Sequence, residues 1–134
     1  MKILLVDDEV DYLRTLAKRL AKRRYETSLA HSGEEAIAFV RENPVDVVVL
    51  DVKMPGMDGI ETLRRIRSEA PSAEVILLSG HAAMESAIEG MKIGAFDYLI
   101  KPADLDELVY KLEDAYRKKT LQKRKDESRP ADGD

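Results

Sequence analysis

The sequence contains no cysteine. No disulfide and no thiolate metal site can form, which is compatible with a reducing cytosol. Only two histidines are present. His81 has no second histidine nearby, which argues against an imidazole metal site. His31, between a strand and a capping serine, reads as a surface-loop residue. No apolar run approaches the roughly 20 residues needed to span a bilayer. The opening Met1-Lys2-Ile3-Leu4-Leu5-Val6-Asp7 meets charge too early to be a signal peptide. Nor is there an excess of positive charge. The net charge of −4 argues against nucleic acid as the main partner of the folded domain.

What remains is one domain with a real core. The chain has 134 residues, 44% of them apolar. Its organising stretch is Val47-Val48-Val49-Leu50-Asp51, followed at once by a loop with Pro55, Gly56 and Gly59. A β-branched apolar run fits a strand buried on both faces. Lys2–Val6, Tyr25–Ala30, Val45–Leu50, Glu74–Leu78 and Phe96–Ile100 read as strands. Between them fall helical stripes. Leu13, Leu16, Ala17 and Leu20 mark the first, whose outer face is basic with Arg14, Lys18, Arg19, Lys22 and Arg23. Ser32 and Glu35 form a capping-box pattern ahead of Ala36, Ile37 and Val40, and Asn43-Pro44 stops that helix. Asp58 and Glu61 repeat the pattern ahead of Ile60, Leu63 and Ile66. The fourth helix is lined by Met84, Ala87, Ile88 and Met91 and ends at Gly94. Asp104 caps the last, striped by Leu105, Leu108, Val109, Leu112 and Tyr116. Five alternations with long crossovers predict a doubly wound α/β fold around a parallel sheet. From Arg117 the chain is charged, with Leu121 its only large aliphatic residue. This reads as a frayed helix extension passing into disorder, so residues 1–120 form the domain and 121–134 a charged tail or linker. A phosphate- or nucleic-acid-binding arm is the rival reading there.

In such a sheet, chemistry gathers at the C-terminal edge of the strands. Asp7 and Asp8 follow strand one, Asp51 ends strand three, Ser79 ends strand four and Lys101 ends strand five. Asp51 alone reads equally well as a strand terminator. Together, three acids would raise one another's pKa unless a cation offset them. Oxygen ligands without histidine or cysteine suit Mg²⁺. An aspartate beside such an ion can attack phosphorus, with lysine and serine holding phosphoryl oxygens.

At this point the sequence resembles the receiver domain of bacterial response regulators. The matching pieces are Asp7-Asp8-Glu9, residues 51–59, Ser79-Gly80-His81-Ala82 and residues 96–102, spread over residues 2 to about 116. The resemblance implies a flavodoxin-like, five-stranded parallel sheet in the order 2-1-3-4-5 and a cytoplasmic signalling switch without a separate substrate. It implies that Asp51 accepts phosphate from a sensor histidine kinase or a phosphotransfer protein. Asp7, Asp8, Asp51 and the backbone carbonyl of Lys53 would hold Mg²⁺. Lys101 would pair with the phosphoryl group. Ser79 would move inward to hydrogen-bond it, and Tyr98 would rotate from exposed to buried. The Lys101–Pro102 peptide would be cis. The resemblance also implies a responsive surface on the fourth helix, fifth strand and fifth helix, which would control a partner or output domain and could carry a homodimer. The basic face of the first helix reads as a solvated face or a kinase-docking surface.

Two departures stand out. Lys53 and His81 occupy positions that vary in the family and border the phosphoryl group, where they are expected to tune its lifetime. Ala103 stands where receivers often carry a bulky apolar residue, which bears on loop packing. Rival functions remain: a binding module of this fold working without phosphate, an aspartyl phosphatase, or a flavin carrier. The phosphatase would want a second acid where Lys53 stands, and the carrier would meet a repelling Asp-Asp-Glu loop. Residues 94–102 and 79–82 resemble receivers that precede an ATPase and a DNA-binding domain in enhancer-binding transcription regulators. The chain reads equally as a stand-alone receiver or as part of such a regulator.

Overall fold

Residues built from Val, Leu and Ile alone, with no polar face to turn to water, must be covered on both sides. The computed structural model, which describes residues 1–127, resolves this demand as a central sheet between helices. The elements are β1 (Ile3–Val6), α1 (Val10–Lys22), β2 (Thr27–Ala30), α2 (Gly33–Glu42), β3 (Val47–Asp51), α3 (Gly59–Glu69), β4 (Glu74–Ser79), α4 (Met84–Ile93), β5 (Asp97–Ile100) and α5 (Leu105–Glu127). The five strands are parallel in the order β2-β1-β3-β4-β5. Side chains alternate across the sheet with the period of two that extended backbone imposes. Leu4, Val6, Val48, Leu50, Val75 and Leu77 pack with Ile37, Val40, Leu63 and Ile66 of α2 and α3. Ile3, Leu5, Val47, Val49, Ile76 and Leu78 pack with Leu13, Leu16, Leu20, Leu108, Leu112 and Ala115 of α1 and α5.

The expected caps form. The Ser32 hydroxyl accepts from Glu35 N at 3.1 Å, Asp58 from Glu61 N at 2.9 Å and Asp104 from Glu107 N at 3.0 Å. Four of the five strands start one or two residues later than the apolar pattern, and β4 starts at Glu74 as expected. Tyr25 is drawn into the end of α1 instead: its N–H reaches Leu20 O at 2.9 Å across Arg24, which sits at φ 69°. Apolar spacing reports burial, not the ladder of hydrogen bonds.

One expectation on the helices needs correction. Ile88 and Met91 do not line α4; both are exposed, and the core side is Ala87 and Gly90. The helix lies so close to the sheet that a Cβ at residue 90 would stand 2.4 Å from Leu77 Cδ1. Small residues therefore set the fully buried face, Ile93 packs in part at the end of the helix, and Ile88 and Met91 point out. The helix extension expected past Arg117 is present: α5 runs on to Glu127, through the residue 120 at which the sequence reading divides domain from tail. Lys119 is paired with Asp46, Lys118 lies 3.4 Å from Glu74, and Lys118 sits 5.7 Å from the Phe96 ring. Charged stems thus anchor the helix past its last buried aliphatic residue. The remainder of the expected tail, 128–134, lies outside the described residues.

Gly59 opens α3 directly behind the end of β3. A Cβ there would stand 2.5 Å from both Asp51 O and Val52 Cα. Backbone cannot yield as a side-chain tip does. Gly59→Ala is expected to lower the unfolding free energy by about 3 kcal/mol in urea titrations.

Candidate functional site at the C-terminal edge of the sheet

The register places the acids. Val6 pairs with Leu50, so the residues that follow, Asp7 and Asp51, emerge side by side. Asp7 N–H donates to Ala30 O at 3.1 Å, which extends the β1–β2 ladder and fixes the Asp7 backbone. Asp7 is fully buried and Asp51 is 5% exposed, whereas Asp8 faces solvent. Carboxylate oxygens of Asp7, Asp8 and Asp51 all lie within 4.8 Å of one another. Lys101 leaves the end of β5 with its N–H on Ser79 O at 3.0 Å. Its ammonium lies 2.9 Å from Asp7 Oδ2, 2.8 Å from Glu9 Oε1 and 3.8 Å from Asp51 Oδ1. The Lys101–Pro102 peptide is cis.

Ser79 is fully buried at the end of β4, and its hydroxyl donates to Gly80 O at 3.0 Å. Lys53 is exposed; its N–H reaches Asp51 Oδ1 at 3.4 Å. An open cleft of about 440 Å³ above these residues is lined by Glu9, Tyr12, Asp51, Lys53, Ala82 and Lys101 among others. His81 is exposed in the single 3₁₀ turn, His81–Ala83, between β4 and α4. Tyr98 is half-buried against the α2–α4 side of the core. His31 is more enclosed than a surface-loop residue: it is half-buried, and its Nδ1 is shut from solvent with no hydrogen-bond partner.

Two participants were not singled out from the sequence. Glu9 shares the Lys101 ammonium with Asp7, and the Tyr12 ring lies 4.7 Å from that ammonium. The Tyr12 hydroxyl also accepts the Ala103 N–H at 3.3 Å, which ties down the loop where a bulkier residue is absent. Glu9 read only as the last of an acidic run, and Tyr12 drew no reading at all.

The electrostatics follow from burial. Desolvation, then the charge of Asp7, push Asp51 from 3.8 up to about 7; Lys101 and the Lys53 N–H pull the other way. Burial works against the Lys101 charge. Hydrogen bonds to Glu9 and Asp7, with the charges of Asp51 and Asp7, outweigh it and hold the ammonium above the usual lysine range. A pocket of three hard oxygen donors with excess negative charge suits a small divalent cation such as Mg²⁺.

Comparison with known proteins agrees with this geometry. Residues 3–113 match the family model described as the response regulator receiver domain. The chain is 44% identical over 107 residues to regulatory protein AtoC of Escherichia coli, covering 80% of this chain and 23% of AtoC. It is 43% identical over 113 residues to the transcriptional regulatory protein ZraR of Salmonella typhimurium, covering 84% of this chain and 26% of ZraR. The chain thus spans about a quarter of these relatives. Among solved structures, a response regulator receiver domain protein from Clostridium thermocellum superposes with a TM-score of 0.86. It is 37% identical, with 90% of this chain and 98% of that one covered.

The raised Asp51 has a signed consequence. Between its unfolded value near 3.8 and its folded value near 7, the folded chain binds the extra proton. Stability contributed by this group is therefore lost as pH rises through that window. In metal-free buffer, Asp51→Asn is expected to raise unfolding free energy by on the order of 2 kcal/mol at pH 8, with the gain shrinking toward zero near pH 4. Urea titrations across pH check it; a gain that does not change with pH counts against the assignment.

Proposed function

The chain belongs to the response regulator receiver domain family, and on that premise we propose that it is a phosphorylation switch of a two-component system, with Asp51 as the phosphoryl acceptor. The observation that carries the reading is a buried carboxylate at the end of β3, with the oxygens of Asp7 and Asp8 within 4.8 Å and the Lys101 ammonium at 3.8 Å. The donor is a phosphohistidine on a sensor histidine kinase or a phosphotransfer protein. An Asp51 carboxylate oxygen attacks phosphorus. The phosphorus–nitrogen bond breaks, and its electron pair returns to the imidazole. In the reverse direction of the switch, water attacks the acyl phosphate and returns carboxylate and inorganic phosphate. The chain acts on no other substrate.

Asp7, Asp8, Asp51 and the Lys53 backbone carbonyl would hold Mg²⁺, whose contribution when bound is to neutralise charge on the phosphoryl oxygens. Lys101 supplies a second positive charge from the β5 side. Its long stem lets the ammonium leave Asp7 for a phosphoryl oxygen. The Ser79 hydroxyl, now on Gly80 O, would turn to donate to the same group. Tyr98, half-buried at present, would follow by moving inward. Close to two added negative charges at Asp51 drive both moves.

The readout surface is α4, β5 and α5. Ile88 on α4 and Tyr110 on α5 are exposed there at 51% and 68%, which supports contact with a partner, an output domain or a second copy of the chain. A homodimer through this face is one such outcome. No helix among the described residues is long and apolar enough to cross a membrane. The chain is proposed to work in the cytoplasm without itself binding nucleic acid.

Acetyl phosphate with Mg²⁺ is expected to add one phosphoryl group by intact mass spectrometry, and Asp51→Asn to abolish the addition. A wild-type chain that stays unmodified under those conditions rules the reading out. Lys53 lines the cleft and His81 stands beside lining residues Gly80 and Ala82. Lys53→Ala and His81→Ala are each expected to admit water and speed hydrolysis of the acyl phosphate severalfold, followed as phosphate release. Wild-type rates in both variants remove that role.

A further inference from the structure

The Lys101 ammonium and a divalent cation want the same oxygens. Both oxygens of Asp7 are already engaged. Oδ1 accepts the Glu9 N–H at 2.9 Å, and Oδ2 accepts Lys101 Nζ at 2.9 Å. An ammonium held that close to one oxygen repels a second cation on the same carboxylate. Lys101 must therefore draw back from Asp7 before a divalent ion can use it fully. The retreat is constrained. The lysine side chain is only 15% exposed, and a charge that loses one partner without gaining another is costly.

Glu9 removes the difficulty. Among the described residues, the ammonium contacts three carboxylates: Asp7, Glu9 and Asp51. Only Glu9 lies outside the trio whose oxygens converge. Its side chain is 63% exposed and free to follow the ammonium outward. The Tyr12 ring, one helical turn further along α1, keeps a π face against the same charge at 4.7 Å.

We propose that Glu9, backed by Tyr12, is a parking site for the Lys101 ammonium that lets Asp7 exchange its lysine for a divalent cation. The inference rests on the reading that Asp7, Asp8 and Asp51 hold that cation. Glu9 is a positioning residue: it acts on the metal site through Lys101 and is not itself a ligand. Its effect therefore depends on the lysine being there.

A double-mutant cycle on the full chain separates this from a plain charge effect. Mg²⁺ affinity is measured by isothermal titration calorimetry for wild type, Glu9→Gln, Lys101→Met and the double variant. With Lys101 present, Glu9→Gln is expected to weaken Mg²⁺ binding by about threefold to tenfold. With Lys101→Met, binding is at least as tight as in wild type, and Glu9→Gln changes it by less than about twofold. Equal weakening in both backgrounds overturns the proposal, since Glu9 would then act on the ion directly. No weakening in the presence of Lys101 also overturns it. A wild-type chain that binds no Mg²⁺ removes the metal reading itself, a distinct result. Lys101→Gln provides the same comparison if the methionine variant does not fold.

Discussion

Everything in this structure depends on holding carboxylates together where they repel. Asp7 and Asp51 are both almost fully enclosed, and Asp8 brings a third oxygen into the same small volume. Left alone, such a group would spread apart or take up protons. It cannot spread, because the backbones of Asp7 and Asp51 are fixed by central strands, and the strain appears instead as the raised pKa of Asp51. β1 and β3 are paired from Ile3↔Val47 to Val6↔Leu50, and the acids are the next residues along. Moving them apart means breaking the register of two fully buried strands. The apolar sheet thus supplies the free energy that keeps an unfavourable charge cluster in place, and Lys101 offsets part of the repulsion.

This explains what could be read in the sequence. The five strands were legible because runs such as Val47–Leu50 are short, apolar and β-branched and are bounded by turn residues. The caps at Ser32, Asp58 and Asp104 were legible because the signal and the structure are local, within three residues. The placing of Asp7, Asp8, Asp51, Ser79 and Lys101 on one rim followed from parallel pairing, which brings all C-terminal strand ends to one edge; the strand order itself came from the family resemblance. What escaped was set by distance in space. The Ile88 and Met91 side of α4 looked like a core stripe, and only the close approach of Gly90 to Leu77 turns it outward. The partners of Lys118 and Lys119 on α5 were out of view too, because Glu74 and Asp46 lie tens of residues away. Glu9 and Tyr12 were hidden for the same reason: nothing near them in the chain says where Lys101 will put its charge.

The site is also mechanically linked to the surface proposed to report its state. Lys101 N–H and Ser79 O join the ends of β5 and β4. The two side chains proposed to meet the phosphoryl group therefore sit on neighbouring, hydrogen-bonded backbone. Tyr98 lies three residues before Lys101 on the same short strand. A four-residue strand at the sheet edge has few ladder bonds to resist a small shift. β5 also carries Asp97, whose carboxylate holds Lys111 of α5 at 2.5 Å. A displacement at Lys101 thus has a short covalent and electrostatic path to α5.

The α4 side has its own reason to yield. Its fully buried residues are an alanine and a glycine, Ile93 packs against the core only in part, and the larger Ile88 and Met91 are left in solvent. A helix seated on small residues buries little apolar area, so few contacts hold it to one position. The helices on the opposite face are different: α1 and α5 insert Leu13, Leu16, Leu20, Leu108 and Leu112 into the sheet. The packing therefore divides the molecule into a firmly seated half, which fixes Asp7 and Asp51, and a lightly seated α4, which borders the edge strand. A charge change at the rim has little to overcome in the second half and much to overcome in the first. Repositioning follows the weaker packing, so α4 and β5 are where added charge on Asp51 would be expressed as shape.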